Sequence, residues 1–170
     1  MNRKEQSNIE TVTNNISNDI FEIGNGLLND IANIIDKLPD DVLNEIPEGL
    51  KNNPYTLIFH LLGSAGYWIG EVVGNIPTDR VRAQEFERTG SREELRELLN
   101  DIRGRMKTTL ANLRSEQLEV RSFDLSKGVL CWGTPENRTA IWVLVHDLCH
   151  IAYHLGQLQL IKMKNAAEQG

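Results

Sequence analysis

The strongest constraint on the fold is the spacing of apolar residues in the first part of the chain, where they recur every three or four positions. They are Ile16, Ile20, Ile23, Leu27, Ile31, Ile34 and Leu38. This spacing is typical of an amphipathic helix. Because proline cannot continue a helix, the helix is predicted to end before Pro39. Residues 1–15 lie outside the pattern, and we expect them to be a frayed amino-terminal segment.

A second helix is indicated after a polar connection. Residues 39–53 mix prolines, acids and amides, which favours a connection with at most one short turn. Asn53 precedes Pro54, as an N-cap residue precedes proline at the first helical position. The second helix is predicted to run from there to Val73, before Gly74.

Two further helices are predicted in the second half of the chain. Ser91 and Glu94 form a capping box, which predicts a third helix that continues toward Leu113. A last, largely apolar helix is predicted to begin between residues 134 and 139 and to continue to about Lys164. Its apolar middle is typical of a buried helix.

The pattern of elements predicts an all-α protein. Residues 118–133 contain short apolar pieces interrupted by Gly128 and Gly133, so a loop and a brief extended stretch both remain open there. Four long helices without a convincing strand pattern predict a four-helix bundle with long connections between the helices. A chain of 170 residues accommodates one such domain, which we assign to residues 16–170.

Composition favours a globular cytoplasmic protein. Hydrophobic residues make up 40% of the chain and charged residues 25%, and no apolar run approaches the roughly 20 residues of a membrane helix. The amino terminus has no apolar segment typical of a secretory signal. The two cysteines, Cys131 and Cys149, are too few for a disulfide scaffold, and Cys149 is expected to pack in the core.

Charge argues against a nucleic-acid partner. The net charge is −6, whereas binding to nucleic acids depends on basic residues that neutralise phosphates. The basic cluster comprises Arg80, Arg82, Arg88 and Arg92, interleaved with Glu85, Glu87, Glu93 and Glu94. We interpret it as a solvated surface.

The histidines are concentrated in the predicted helices. The chain has four, and three of them, His146, His150 and His154, lie four residues apart in the last helix. Residues four apart on a helix lie about 40° apart around its axis, so His150 and His154 can face one volume. His60 is in the second helix. Metal binding and buried neutral histidines are both open, and neutral imidazole suits several transition metals.

The sequence resembles the DinB/YfiT superfamily of metalloenzymes. The similarity is carried by "TLIFHLLGSAGYWIGEVVGN", which contains His60, and by "HDLCHIAYHLGQLQLI", which contains His150 and His154. It extends through "EFERTGSREELRELLNDIRGRM" and covers roughly residues 16–164. One departure is Leu155, where many members carry arginine.

The resemblance implies a DinB/YfiT-type bundle in which His60, His150 and His154 bind a divalent transition metal. Zinc or nickel is expected, with iron or manganese as alternatives. His146 is then a neighbour that lines a pocket, contacts a ligand or packs in the core. Asp147 is a candidate carboxylate partner for a ligating histidine, or an exposed acid.

Several residues near the expected ligands are candidates for a pocket. Gln157 can fix a ligand or the facing helix by a hydrogen bond. Ser64 and Gly63 follow His60 by one turn, and the glycines of this helix either leave space for a substrate or permit close helix packing. Tyr67 is either a polar contact at the pocket mouth or a core aromatic.

The resemblance also implies an activity. Related proteins include S-transferases that use a low-molecular-weight thiol such as bacillithiol or mycothiol, so we expect an enzyme that activates such a thiol for attack on a small-molecule substrate. A metal-dependent hydrolase and a non-catalytic, metal-binding dimeric bundle are the alternatives. A homodimer is expected because the last helix is more apolar than one small bundle readily buries.

Overall fold

The structure, a computed structural model, describes residues 3–118 and 138–168, and the regular elements in these two ranges are all helices. In chain order they are α1 (Arg3–Lys37), α2 (Asp40–Asn44), α3 (Pro54–Ala65), α4 (Arg92–Ala111) and α5 (Ala140–Glu168). A π-helical segment, Gly66–Val73, continues α3, and two 3-10 turns comprise Arg82–Glu87 and Ser115–Leu118. The prediction of an all-α fold is confirmed. Beyond Leu118, the segment 118–133, for which a loop and a brief extended stretch were both open, lies outside the described residues.

Helix α1 is longer than the sequence pattern indicates. It begins at Arg3, so the expectation of a frayed segment over residues 1–15 is wrong from Arg3 onward. The buried face continues toward the amino terminus through Ser17 and Thr13, which are polar and therefore escape a search for apolar spacing. The Thr13 hydroxyl is satisfied because it donates to the carbonyl oxygen of Ile9 at 2.9 Å.

The predicted helix starts rest on side-chain caps. Asn53 Oδ1 accepts a hydrogen bond from the backbone nitrogen of Thr56 at 2.6 Å, with Pro54 at the first helical position. Ser91 Oγ accepts from the backbone nitrogen of Glu94 at 3.1 Å. Each cap satisfies one amide that the helix itself leaves without a partner.

The four long helices share one apolar core. Helices α1 and α3 each pack against both α4 and α5. Their inward residues include Ile31, Leu61, Ile102 and Leu158, one from each long helix. This arrangement places α3 beside α5, so that side chains from these two helices can meet.

The glycines of the second predicted helix permit close packing. A Cβ atom on Gly66 would lie 2.8 Å from Ile102 Cδ1, and one on Gly74 would overlap Thr109 Oγ1. Ile102 and Thr109 both belong to α4. Of the two interpretations, close helix packing therefore accounts for Gly66 and Gly74.

The continuous helix Pro54–Val73 is long and apolar enough to cross a membrane, judged by length and composition. The expectation that no apolar run approaches this length is therefore wrong. However, 78% of the most apolar 18-residue stretch of this helix is buried inside the protein. Its apolar character is thus accounted for by its place in the core.

We predict that Gly74→Ala destabilises the protein by about 1–3 kcal/mol, because the added Cβ must displace Thr109 and the carbonyl oxygen of Gly70. Gly104→Ala is the matched control, since a Cβ there meets nothing within 4 Å. It should leave stability unchanged or raise it by up to about 1 kcal/mol. Denaturant unfolding measures both variants, and equal stability of the two would contradict the packing argument.

Candidate metal centre

Three of the four histidines converge between α3 and α5. His60 lies in α3, whereas His150 and His154 lie one turn apart on α5. The ring centroids are 5.2 Å apart for His60 and His150, 5.3 Å for His60 and His154, and 4.6 Å for His150 and His154. One nitrogen from each ring lies within 4.8 Å of one nitrogen from each of the others. Such a group could hold a metal ion.

A buried carboxylate is hydrogen-bonded to Nδ1 of His60. His60 Nδ1 lies 2.7 Å from Glu85 Oε2, and Glu85 is buried in the 3-10 turn Arg82–Glu87. An ionised carboxylate can only accept a hydrogen bond, so Nδ1 carries the proton and Nε2 keeps its lone pair. The contact thus selects the tautomer of His60 whose Nε2 can bind a metal.

Arg80 keeps Glu85 in its charged form. Arg80 Nε donates to Glu85 Oε1 at 2.6 Å, and Arg80 Nη2 donates to Glu85 Oε2 at 3.0 Å. The Arg80 side chain is only 5% exposed. Burial raises the pKa of Glu85, but the hydrogen bonds from His60 and Arg80 outweigh burial and lower the pKa below its ordinary value. Glu85 is therefore ionised at neutral pH.

Gly63 provides the space that Glu85 occupies. A Cβ at this position would lie 2.7 Å from Glu85 Oε1 and 3.6 Å from Arg80 Nε. No real Cβ comes that close to an oxygen without a shift of one of the groups. The absence of a side chain one turn after His60 therefore admits the carboxylate that holds His60.

The sequence pattern did not indicate that Glu85 and Arg80 belong to the site. The interpretation of their charged cluster as a solvated surface is wrong for these two side chains, which are buried against each other. Alternating acidic and basic residues near a 3-10 turn have the composition of an exposed loop, so the local pattern conceals the burial. Gly63 beside a candidate ligand was the one available signal.

A side-chain amide is hydrogen-bonded to Nδ1 of His154. His154 Nδ1 lies 2.8 Å from Gln157 Oε1. The amide oxygen accepts, so Nδ1 of His154 is protonated and Nε2 keeps its lone pair, as in His60. Two of the three rings are thereby oriented with an unprotonated nitrogen available to the group.

His150 completes the donor set. Its Nε2 lies 3.1 Å from Nε2 of His154, and because the latter is an acceptor, a proton or a cation must hold the two nitrogens together. Burial, together with the neighbouring His154 and His60, lowers the pKa of His150 to about 3. His150 is thus neutral at neutral pH, the form that binds metals. The donor set fits a divalent transition metal.

Asp147 and Ser64 form a second polar contact between the same two helices. Ser64 Oγ donates to Asp147 Oδ1 at 3.0 Å, and Asp147 is fully buried. The hydrogen bond found for Asp147 thus joins it to Ser64. For His60, the carboxylate partner is Glu85.

The remaining candidates lie outside the three-histidine group. His146 is buried and stacks on Trp142, with a ring distance of 5.2 Å and an angle of 14°. Tyr67 is also buried, with Arg80 positioned 5.7 Å above its ring. Cys149 is exposed, so the expectation that it packs in the core is wrong. It lies on the outer side of α5, which is apolar as well.

The fold and the site define an all-α protein in which two neighbouring helices bring three histidines into one group. The family model of the DinB superfamily matches residues 27–158, a range that contains all three histidines. The chain belongs to the DinB superfamily, as the sequence resemblance indicated. Comparison with curated proteins finds no match.

Glu85→Ala is predicted to weaken the binding of a divalent metal by about 10- to 100-fold, because His60 loses the acceptor that fixes its tautomer. Glu87→Ala is the matched control, since Glu87 belongs to the same 3-10 turn but is exposed. Competition with a chelator measures the affinity of both variants. Equal affinity of Glu85→Ala and the wild type would exclude this role for Glu85.

A pH dependence of stability is predicted from Asp147. Burial raises its pKa from 3.8 to about 7, against the opposing effects of Ser64 and Arg80. The folded state therefore holds the proton more tightly than the unfolded state, and the free energy of unfolding falls as the pH rises from about 4 to 7. Asp147→Asn should remove this loss, which amounts to roughly 4 kcal/mol at most.

Denaturant unfolding between pH 4 and pH 8 tests this prediction. Asp147→Asn retains an acceptor for Ser64, so it should exceed the wild type in stability at pH 8 and approach it at pH 4. Asp30→Asn, at an exposed position of α1, is the control and should follow the wild type. Parallel pH profiles for Asp147→Asn and the wild type would contradict the prediction.

Proposed function

We propose that this DinB-superfamily protein is a metal-dependent enzyme that transfers a low-molecular-weight thiol, such as bacillithiol, to a small electrophilic substrate. The observation that carries the proposal is the orientation of the histidines. Glu85 and Gln157 hold the Nδ1 atoms of His60 and His154, which leaves their Nε2 atoms to meet His150. Zinc or nickel suits such a set of imidazoles, with iron or manganese as alternatives.

Three protein ligands favour a catalytic role over a structural one. Structural zinc sites have four protein ligands, whereas catalytic sites have three and keep a position for substrate or water. When bound, the metal would lower the pKa of a coordinating thiol toward neutrality. The chain's own contribution is to hold three imidazoles in place before the metal arrives.

The proposed transfer requires no oxidant or reductant. The thiol loses its proton to solvent, and the sulfur electron pair forms a bond to an electrophilic carbon of the substrate. The bond from this carbon to the leaving group breaks, and the leaving group departs with that electron pair. Solvent then returns a proton to the leaving group.

The surroundings of His60 favour a substrate with an apolar part. The exposed ring of Phe86 lies 4.9 Å from the ring of His60, measured between centroids. The guanidinium of Arg82 lies 5.1 Å from the centre of the Phe86 ring. An aromatic surface next to a cation suits a small molecule that carries both an apolar group and a negative charge.

Metal content and thiol conjugation test the proposal together. The purified protein, reconstituted with zinc or nickel, should bind about one ion per chain, and His154→Ala should lose the ion because two imidazoles hold it poorly. His146→Ala is the matched control on the same helix and should retain it. Thiol binding should release a proton, seen in calorimetry as a heat that changes with the ionisation enthalpy of the buffer.

The outcomes separate the alternatives. A loaded protein that conjugates a thiol to an electrophile supports the transferase. A protein that hydrolyses an ester or amide without thiol is a hydrolase that uses the same site. Metal binding with neither activity would favour a non-catalytic metal-binding bundle, and failure to bind any of the four metals would overturn the proposal.

A further inference from the structure

A groove lies beside the carboxyl-terminal part of α5. One wall belongs to residues 157–165 of α5, and the other belongs to residues 42–50, which include the end of α2 and the start of its connection to α3. The volume of the groove is about 530 Å³, within the range of roughly 300–1,000 Å³ that is typical of small-molecule sites. We call this feature the α2–α5 groove.

Apolar side chains on both walls of the α2–α5 groove are open to water. Leu160, on α5, is 68% exposed, and Ile46 and Leu50, on the other wall, are 60% and 46% exposed. Val42 and Ile161 also line the groove. Because an occupant would remove apolar surface from water on both walls, the groove favours a ligand with an apolar part.

The charges along the α2–α5 groove are unequal. Glu45 and Glu48 belong to one wall, and Lys164 is the one cation among the described residues that line the groove. Two carboxylates against one ammonium leave a net charge of −1. Lys164 is shared with Glu48, since its Nζ lies 3.9 Å from Glu48 Oε2. Within residues 3–118 and 138–168, Glu45 has no ion pair, so its carboxylate favours a cationic ligand.

The α2–α5 groove continues the side of α5 that carries the histidines, but it does not reach the nitrogens that face one another. Gln157 and Ile161, which line the groove, follow His150 and His154 by seven residues each, or about two turns. Gln157 Oε1 accepts from Nδ1 of His154 at 2.8 Å, whereas Nε2 on the other side of the same ring lies 3.1 Å from Nε2 of His150. An occupant of the groove would therefore contact Gln157 and not the three-histidine group.

We propose that the α2–α5 groove binds a small amphiphilic cation, a molecule in which an alkyl chain or an apolar ring carries an ammonium group. The apolar part contacts Leu160 on one wall and Ile46 and Leu50 on the other. The ammonium group lies near Glu45. This inference goes beyond the proposed function, and it requires neither a bound metal nor catalytic activity.

The sign of the ligand charge follows from the groove residues. A carboxylate in the same position would face Glu45 and Glu48, and the one ammonium available to it, that of Lys164, is already close to Glu48. An uncharged apolar molecule would gain the burial without the attraction. One pair of opposite charges 4 Å apart in water changes an affinity by about 5-fold, which sets the size of the expected discrimination.

Calorimetry of the full-length, metal-free chain with octylammonium, below the concentration at which this amine forms micelles, tests the location of the site. The wild type should bind one molecule per chain. Leu160→Ser should weaken binding by at least about 5-fold, because it removes apolar surface from one wall. Met163→Ser is the matched control, since Met163 is 67% exposed on the same helix but does not line the groove. No binding by the wild type, or equal effects of the two variants, would overturn the proposal.

Octanoate, which has a chain of the same length and the opposite charge, tests the class of ligand. It should bind the wild type at least about 5-fold more weakly than octylammonium. The double variant Glu45→Gln, Glu48→Gln should lose this preference, because it removes both carboxylates and frees Lys164. The matched control is Glu93→Gln, Glu97→Gln, at exposed positions of α4. Equal affinity of the wild type for the two probes, or an unchanged preference in the groove variant, would overturn the assignment.

Two further measurements test other occupants of the groove. Sedimentation of the wild type with and without octylammonium should give the same mass, whereas dissociation of an assembly by the amine would show that another copy of the chain covers the groove. Binding of the wild type to vesicles of neutral lipid, with its loss in Leu160→Ser, would identify a lipid-binding surface. Either result would overturn the proposal.

Discussion

The packing of α3 against α5 is the contact on which the candidate site depends. His60 comes from the first of these helices, and His150 and His154 come from the second. Neither helix has three suitable donors on one side, because a third histidine on α5 points too far around the axis. The site thus exists only when the apolar core brings the two helices together. The free energy gained by burying leucine and isoleucine side chains holds the two helices together and so positions the imidazoles.

The buried charges around His60 are tolerated because each one has a partner. Glu85 accepts from His60 and from two nitrogens of Arg80, so its charge is satisfied on all sides. An unpaired carboxylate in the same place would cost several kcal/mol, or it would take up a proton. Protonation would allow it to donate a hydrogen bond and would remove the selection of the His60 tautomer. Arg80 therefore affects the tautomer of His60 through Glu85.

Features whose signals are local could be predicted from the sequence. Apolar spacing and the caps at Asn53 and Ser91 identified the helices, since these residues act within one or two turns. The family resemblance supplied the three histidines. Glu85 could not be found in this way, because its burial depends on a turn that folds back against α3.

The exposed side of α5 could not be predicted from the sequence, for a different reason. Both sides of this helix are apolar, so periodicity does not reveal which one faces the core. Cys149 was assigned to the core for this reason, although it lies on the exposed side. The extent of α1 was missed because polar residues, Ser17 and Thr13, continue its buried face.

The hydrogen bond between Ser64 and Asp147 fixes the register of the two helices that carry the site. It lies one turn from His60 on α3 and one turn from His150 on α5. A slide of one helix past the other by a full turn, about 5.4 Å, would separate the buried carboxyl from its hydroxyl and also move the imidazoles apart. Apolar contacts alone tolerate small slides, whereas a buried hydrogen bond does not. The spacing of the histidines is therefore set by the protein in advance, so that little reorganisation is left for a ligand to drive.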